Sequence, residues 1–267
     1  MKIIISHDVD HLTAREHNSK LLIKFVIRAS IELLNKVITF NEYKKRISSI
    51  YTDKWQNIEE IIEFEKKENI ESTFFVGMAN GVGLEYPLEQ AQQWVEKISN
   101  FGVDVGVHGI AYDDLDDVKK EYQLLKDKLK NKDIGIRMHY LRSNEETLQY
   151  LEKAGYAFDS TVLADKNPYK IGKMWEFPLH IMEGNIFYQD GKRWTSKSLE
   201  EYKKVTIQRI DELEKKEIKY MTLLFHDLYF SDGFSIWRDW YIWIVKYLRE
   251  NGHEFISYTK AIKELEK

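Results

Sequence analysis

Ile3-Ile4-Ile5-Ser6-His7-Asp8-Val9-Asp10-His11 is the stretch that decides how the chain is read. Three isoleucines predict a short buried strand. Two carboxylates and two imidazoles follow within five residues. A strand that is apolar along its length and acidic at its C-terminal end is how α/β enzymes build sites. Residues two apart on a strand point to the same side. Asp8 and Asp10 therefore aim into one pocket if the strand reaches them. Carboxylates with neighbouring histidines suit a divalent metal or an acid–base pair. The alternative is a loop in which Asp8 caps a helix and the histidines face water.

Outward from this stretch, strand and helix patterns alternate. Strands are expected at 70–77, 103–107, 134–137, 156–161, 175–179, 220–225 and 254–256, where β-branched and aromatic residues cluster. Helices are expected at Asn57 to Lys67, Pro87 to Ser99, Asp114 to Lys130, Asn144 to Ala154, Leu199 to Lys216 and Ile236 to Arg249, with one more at the C-terminus. Alternation of this kind implies parallel βαβ units. No glycine-rich dinucleotide or phosphate loop follows any strand. A closed or nearly closed β/α barrel fits better than a doubly wound sheet. Trp237, Trp240, Tyr241, Ile244 and Tyr247 lie at helical spacing and read as a core stripe.

The 267 residues fit one domain over 1–267, and 43% hydrophobic residues supply a sizeable core. A net charge of −4 argues against general nucleic-acid binding. There is no cysteine, so any metal rests on His, Asp or Glu. The start is too short in apolar residues for a signal-peptide core, and no stretch is long enough for a membrane span. The expectation is a soluble cytoplasmic protein without membrane association. Between the first strand and the next helix lies an excursion, about 15–52, read as a helical insertion over the barrel mouth. Its basic residues outnumber its acidic ones eight to three from Arg15 to Arg46. Lys24, Arg28, Glu32 and Lys36 recur every four residues and are expected to form a solvated stripe or face the pocket entrance.

Chemistry-bearing residues fall at the ends of the strands. Asp8 and Asp10, His108, Arg137, His139, Arg142, Asp159, Glu176, His226 and Asp227 all end or follow one. In a barrel that end is the catalytic face. A stability requirement alone does not explain the same placement on strand after strand.

These motifs together resemble the polysaccharide deacetylase family, the NodB-homology domain of carbohydrate esterase family 4. Ser6-His7-Asp8-Val9-Asp10-His11 resembles the family's Thr-Phe-Asp-Asp-Gly, with one residue between the acids. Glu71-Ser72-Thr73-Phe74-Phe75-Val76 resembles its Ala-Thr-Phe-Phe-Val strand. Val105 to Tyr112 sits where the family has His-Ser/Thr-x-x-His, and Ile136 to Tyr140 where it has Arg-x-Pro-Tyr. Trp175-Glu176-Phe177-Pro178 and Leu223-Leu224-Phe225-His226 resemble its last two motif regions.

The resemblance implies a distorted (β/α)7-type barrel and metal-dependent removal of acetyl groups from an N- or O-acetylated sugar derivative. It implies a divalent metal, zinc, held by Asp10 and His108. Asp8 would be the general base, Arg137 would hold it with Arg142 as the other candidate, and His226 would be the acid. The family's second metal histidine falls on Tyr112. Asp113, His139, His11 or a water would then complete the shell. Glu176 and Asp227 are supporting candidates, Glu176 as a structural acceptor. Other readings are hydrolysis of a cyclic or other amide on the same barrel, or a non-catalytic carbohydrate-binding or polysaccharide-assembly homologue.

Overall fold

The computed structural model describes residues 1–129, 133–188, 191–192 and 194–267. In chain order its first part runs β1 (Lys2–Val9), α1 (Ser19–Leu34), α2 (Phe40–Thr52), α3 (Ile58–Lys67), β2 (Ser72–Gly77), α4 (Leu88–Asn100), β3 (Asp104–Gly109), α5 (Leu115–Lys126), β4 (Gly135–Met138), α6 (Thr147–Ala154) and β5 (Phe158–Asp159). Then follow β6 (Tyr169–Ile171), β7 (Met174–Glu176), β8 (Ile181–Met182), α7 (Glu183–Phe187), α8 (Leu199–Lys215), β9 (Tyr220–Leu224), α9 (Ser235–Glu250), β10 (Glu254–Phe255) and α10 (Tyr258–Leu265). The expected end of α5 at Lys130 lies outside the described residues.

The strands form one sheet in the order β6-β7-β5-β4-β3-β2-β1-β9-β8, with β10 beside β1. Every pairing is parallel except β6 with β7. The sheet curls into an open barrel, and one parallel bridge, Leu163 to Leu179, spans towards the β8 edge. The short strands β6 and β8 carry too few residues to show a period in the sequence.

β1 is buried on both faces, as expected of a central parallel strand. Ile3, Ile5 and Val9 join the core under the helices. Ile4 points the other way, into a second cluster with Phe75, Phe158, Phe177, Tyr258 and Ala261 that fills the barrel. Gly106 and Gly135 make room for this plug: a Cβ would come within 2.6 Å of the Phe75 ring at 106 and 2.1 Å of the Phe158 ring at 135. The aromatic stripe of α9 is core, with Trp237, Trp240, Tyr241 and Ile244 buried. The indole N–H groups of Trp237 and Trp240 donate to Thr195 and Thr206.

His7 does not belong to the pocket. Strand alternation turns it to the helix side, between the Phe225 carbonyl (2.7 Å) and Glu65 on α3 (2.8 Å). Glu65 also accepts from Ser72 and Tyr241. This buried carboxylate ties β1, β2, α3 and α9 together.

The insertion is helical, and of its charged stripe Lys24 and Lys36 face solvent and Arg28 the pocket, while Glu32 departs from a solvated face. Glu32 is fully buried, its carboxylate 2.7 Å from Arg46 on α2 and 3.3 Å from Arg28. Arg28 lies over the Tyr188 ring at 4.8 Å and reaches the pocket entrance. Of the stripe, Lys24 and Lys36 are the exposed members. Exposed instead are the apolar Ile23, Ile27 and Leu34. An ion pair that anchors one helix to another outweighed simple amphipathic burial here. Lys36 ends the segment with a left-handed φ of 57°, and Thr39 with Glu42 starts α2 by a capping box.

Glu65→Ala is expected to lower the unfolding free energy by about 3–5 kcal/mol, because it strands the buried His7, Ser72 and Tyr241 groups. Urea denaturation checks it.

Candidate active site

β1 delivers Asp8 and the loop after it delivers Asp10 on the same side. Asp8 sits beside Arg137 from β4, with Nη1 to Oδ1 at 3.0 Å. Arg137 is fully buried. Three of its other N–H groups donate to the Ser160 carbonyl (2.9 Å), the Ser160 hydroxyl (2.9 Å) and the Tyr258 hydroxyl (3.0 Å), and its guanidinium carbon lies 4.6 Å from the Phe75 ring centre. Burial works against its charge, and Asp8 more than restores it, so the guanidinium stays protonated.

Asp10, His108 and His139 converge next to this pair, and their ligand atoms all lie within 4.8 Å of one another. Asp10 Oδ1 is 3.1 Å from His108 Nε2 and 3.3 Å from His139 Nδ1, and the two ring nitrogens are 2.9 Å apart. The far nitrogen of each ring meets a backbone carbonyl, Arg137 for His108 (3.0 Å) and Val82 for His139 (3.3 Å). Those contacts assign the far nitrogens as N–H donors. The near nitrogens are then two lone pairs facing each other and a carboxylate. Only a cation between them relieves that arrangement. A proton serves: burial lowers the His108 pKa, but Asp8 and Asp10 hold it above its ordinary value. A divalent metal serves as well, since two imidazoles and a carboxylate with their ligand atoms this close are a metal-binding donor set. Asp10 is matched to that role. Burial pushes its carboxyl up, yet His226, His108 and His139 hold it well below the usual range.

His226, just after β9, faces the same pocket, its Nε2 3.5 Å from Asp10 Oδ2. Its Nδ1 meets the Glu183 carboxylate at the start of α7. Burial alone would lower its pKa, but Glu183 and Asp10 hold it well above the ordinary value. The pocket has a volume of about 450 Å³. Arg28, Tyr188 and Tyr229 also line it.

The backbone around His139 is strained. Tyr140 (φ 57°) and Leu141 (φ 52°) follow it in the left-handed region, and Val82, whose carbonyl meets its ring, has φ 54°. A β-branched residue rarely adopts that conformation. Such strain at both ends of one histidine is the mark of a side chain held for a purpose.

The sequence profile of the family described as Polysaccharide deacetylase matches residues 39–158. The fold is similar to a protein assigned to the polysaccharide deacetylases from Mycobacterium smegmatis, at 14% identity over 98% of this chain and 88% of that one (TM-score 0.66). It is also similar to one from Pseudomonas aeruginosa PAO1, at 12% over 98% and 88% (TM-score 0.59). A CE4 family pseudoenzyme from Bacillus anthracis matches at 10% identity over 97% and 64% (TM-score 0.51). The likeness to the polysaccharide deacetylase family thus rests on a profile over residues 39–158 and on a shared fold across the chain. No curated protein matches it.

The site departs from expectation where the second histidine of the polysaccharide deacetylase motif would lie. Tyr112, Asp113 and Arg142 do not line the pocket but ring a neighbouring depression. Arg142 donates to the Ile110 carbonyl (2.6 Å) and lies 5.0 Å from the Tyr112 ring, so it does not hold Asp8. His139 takes the third position of the donor set. His11 borders the pocket, but its ring turns towards His17 and Trp55. Asp227 lines the pocket and is engaged by the Asn57 N–H at 3.0 Å. Glu176 lies outside the pocket beside Asp159, and its carboxyl is raised well above the usual range by burial and by Asp159. It acts as a structural acceptor for the Val162 N–H (3.1 Å). Glu183 was missed, because the two-residue β8 before it gives no strand signal.

Glu121 on α5 accepts from the N–H groups of Ile110 (3.1 Å) and Ala111 (2.7 Å), fixing the backbone just after His108. Burial pushes its carboxyl from 4.5 up to about 7 against those bonds. A folded-state pKa above the unfolded one contributes stability that is fully present below about pH 4.5 and lost as pH rises through 7. Glu121→Gln, neutral throughout, is expected to gain stability over the wild type across that window, by of order 3 kcal/mol. Urea unfolding of both proteins from pH 4 to 8 checks this.

Proposed function

We propose that the protein is a metal-dependent hydrolase that removes acetyl groups from an N- or O-acetylated sugar or sugar conjugate. One observation carries the reading: an arginine-locked carboxylate, an Asp–His–His donor set and a carboxylate-backed histidine meet in one pocket. A carbohydrate binder has no need of that acid–base set.

Asp10, His108 and His139 would hold the cation, with zinc favoured by two nitrogens and one oxygen. Bound there, it would supply Lewis acidity to the acetyl carbonyl and ease the ionisation of water. Asp8 has one oxygen committed to Arg137, and its other oxygen lies 3.9 Å from His108 Nε2. That second oxygen takes the proton of the attacking water. Arg137 keeps Asp8 from rotating away. His226, charged through Glu183 and Asp10, gives its proton to the leaving nitrogen or oxygen. An amine needs that proton more than an alkoxide does, so the acid matters most for an N-acetyl substrate.

A second reading is a non-catalytic family member. It draws on Tyr112 facing away from the pocket and on the fold's similarity to a CE4 pseudoenzyme. Acetate release from acetylated sugars by zinc-loaded protein separates the two. Asp8→Asn is expected to cut turnover at least 10²-fold while zinc at this centre is retained. Asp10→Ala and His139→Ala are expected to lose that zinc, and Tyr112→His to leave its affinity unchanged. Zinc titration by calorimetry checks all four. His226→Gln is expected to slow N-acetyl cleavage at least tenfold more than O-acetyl cleavage, read from kcat on a matched amide and ester.

A further inference from the structure

A second group of metal-ligating side chains lies beside the first, in the turn between β1 and α1. His11, Glu16 and His17 each offer an atom within 4.8 Å of the others. His17 has a fully buried side chain, and Glu16 is nearly so. Neither ring nitrogen of His17 has a hydrogen-bond partner, nor does Nδ1 of His11. His17 Nε2 is 3.1 Å from Glu16 Oε1, but the two are side by side rather than aligned as a hydrogen bond. The rings of His11 and His17 meet edge to face at 4.6 Å, and the Trp55 ring covers both at 5.6 and 5.2 Å.

Buried polar groups in folded proteins are paired, and each one left unpaired costs about 1–3 kcal/mol. Three orphaned imidazole nitrogens around one carboxylate are a heavy local cost. Nothing about a purely structural turn requires it, since an apolar side chain would fill the same space under Trp55. Glu16 is also held in place. Its oxygens accept from the Leu12 N–H (3.0 Å), the Thr13 N–H (3.0 Å) and the Thr13 hydroxyl (3.2 Å). Outer hydrogen bonds of this kind fix a ligand's direction before the metal arrives.

We infer that His11, Glu16 and His17 form a second divalent-cation site, separate from the Asp10 centre. Two imidazoles and one carboxylate, with no thiolate, select zinc or a similar borderline ion over calcium or magnesium. The surroundings assign it a structural role. The Trp55 N–H donates to the Leu12 carbonyl (3.2 Å), the Arg15 N–H donates to Asp53 (2.8 Å), and the Phe25 ring packs on Trp55 at 4.8 Å. The two ends of the insertion therefore meet at this turn. A cation there would clamp the root of the insertion that brings Arg28 to the pocket, one residue beyond Asp10.

The test is the zinc content of full-length protein, stripped with chelator, reloaded with zinc and counted by mass spectrometry. Wild type is expected to hold two zinc ions per chain, Asp10→Ala one, His17→Gln one, and the double variant none. Zinc at one-hundredfold its Kd is expected to raise the melting temperature of Asp10→Ala by roughly 5–10 °C and not that of the double variant. If His17→Gln does not fold, Glu16→Gln replaces it. Cobalt(II) in Asp10→Ala then gives the visible bands of a four-coordinate site, which the added Glu16→Gln change abolishes. A His17→Gln or Glu16→Gln protein holding as much zinc as wild type overturns the inference. So does Asp10→Ala holding none. Zinc retained in full by Asp10→Ala but lost with His17→Gln would count against the catalytic centre and leave this site standing.

Discussion

A guanidinium at the centre of a barrel is expensive unless each of its donors is met. Arg137 meets that requirement with groups from three places: Asp8 on β1, Ser160 after β5 and Tyr258 on α10. Its flat face rests on Phe75 of β2. Curling the sheet and orienting Asp8 are therefore one event. The aromatic plug below it, with Phe158 stacked on Tyr258 at 4.3 Å, sets the height at which the charge sits. Asp159 lies nearby and lends the guanidinium further negative potential.

Above that pair the pocket is a balance of charges rather than a set of independent groups. Asp10 faces three imidazoles, and its low pKa is the counterpart of the raised values of His108 and His226. Held this way, the site presents a fixed negative carboxylate beside a place where positive charge is welcome. The left-handed backbone at Val82, Tyr140 and Leu141 shows where the fold gives up local comfort to keep His139 there.

Much of this was legible in the sequence because strand ends announce themselves. Asp8, Asp10, His108, Arg137 and His226 each follow a β-branched or aromatic run, and all of them reach the same pocket region. What was illegible depended on distance through space. Asp113, His139, His11 and a water were open candidates for the third ligand, and spacing does not reveal that the 3₁₀ turn after β4 brings His139 to Asp10 and His108. Glu183 follows a strand of two residues, too short for a period. The stripe at Lys24, Arg28, Glu32 and Lys36 had the spacing of a solvated face, and spacing could not reveal that Arg46 waits beneath it. The imidazole of His7 looked like site chemistry because composition does not record which side of a strand a residue takes.

That last point bears on how this chain can change over generations. In β1, even positions carry the pocket chemistry and odd positions carry the helix-side core and the Glu65 hub. A single-residue deletion between Ile5 and Asp8 would slip the register and exchange the two sets, sending a carboxylate into the apolar layer and Val9 into the pocket. The helices between Ser19 and Thr52 contribute no strand, so length there can drift without disturbing any register. Lineages of this fold are free to differ in the insertion, while the eight residues of β1 admit substitution but neither gain nor loss.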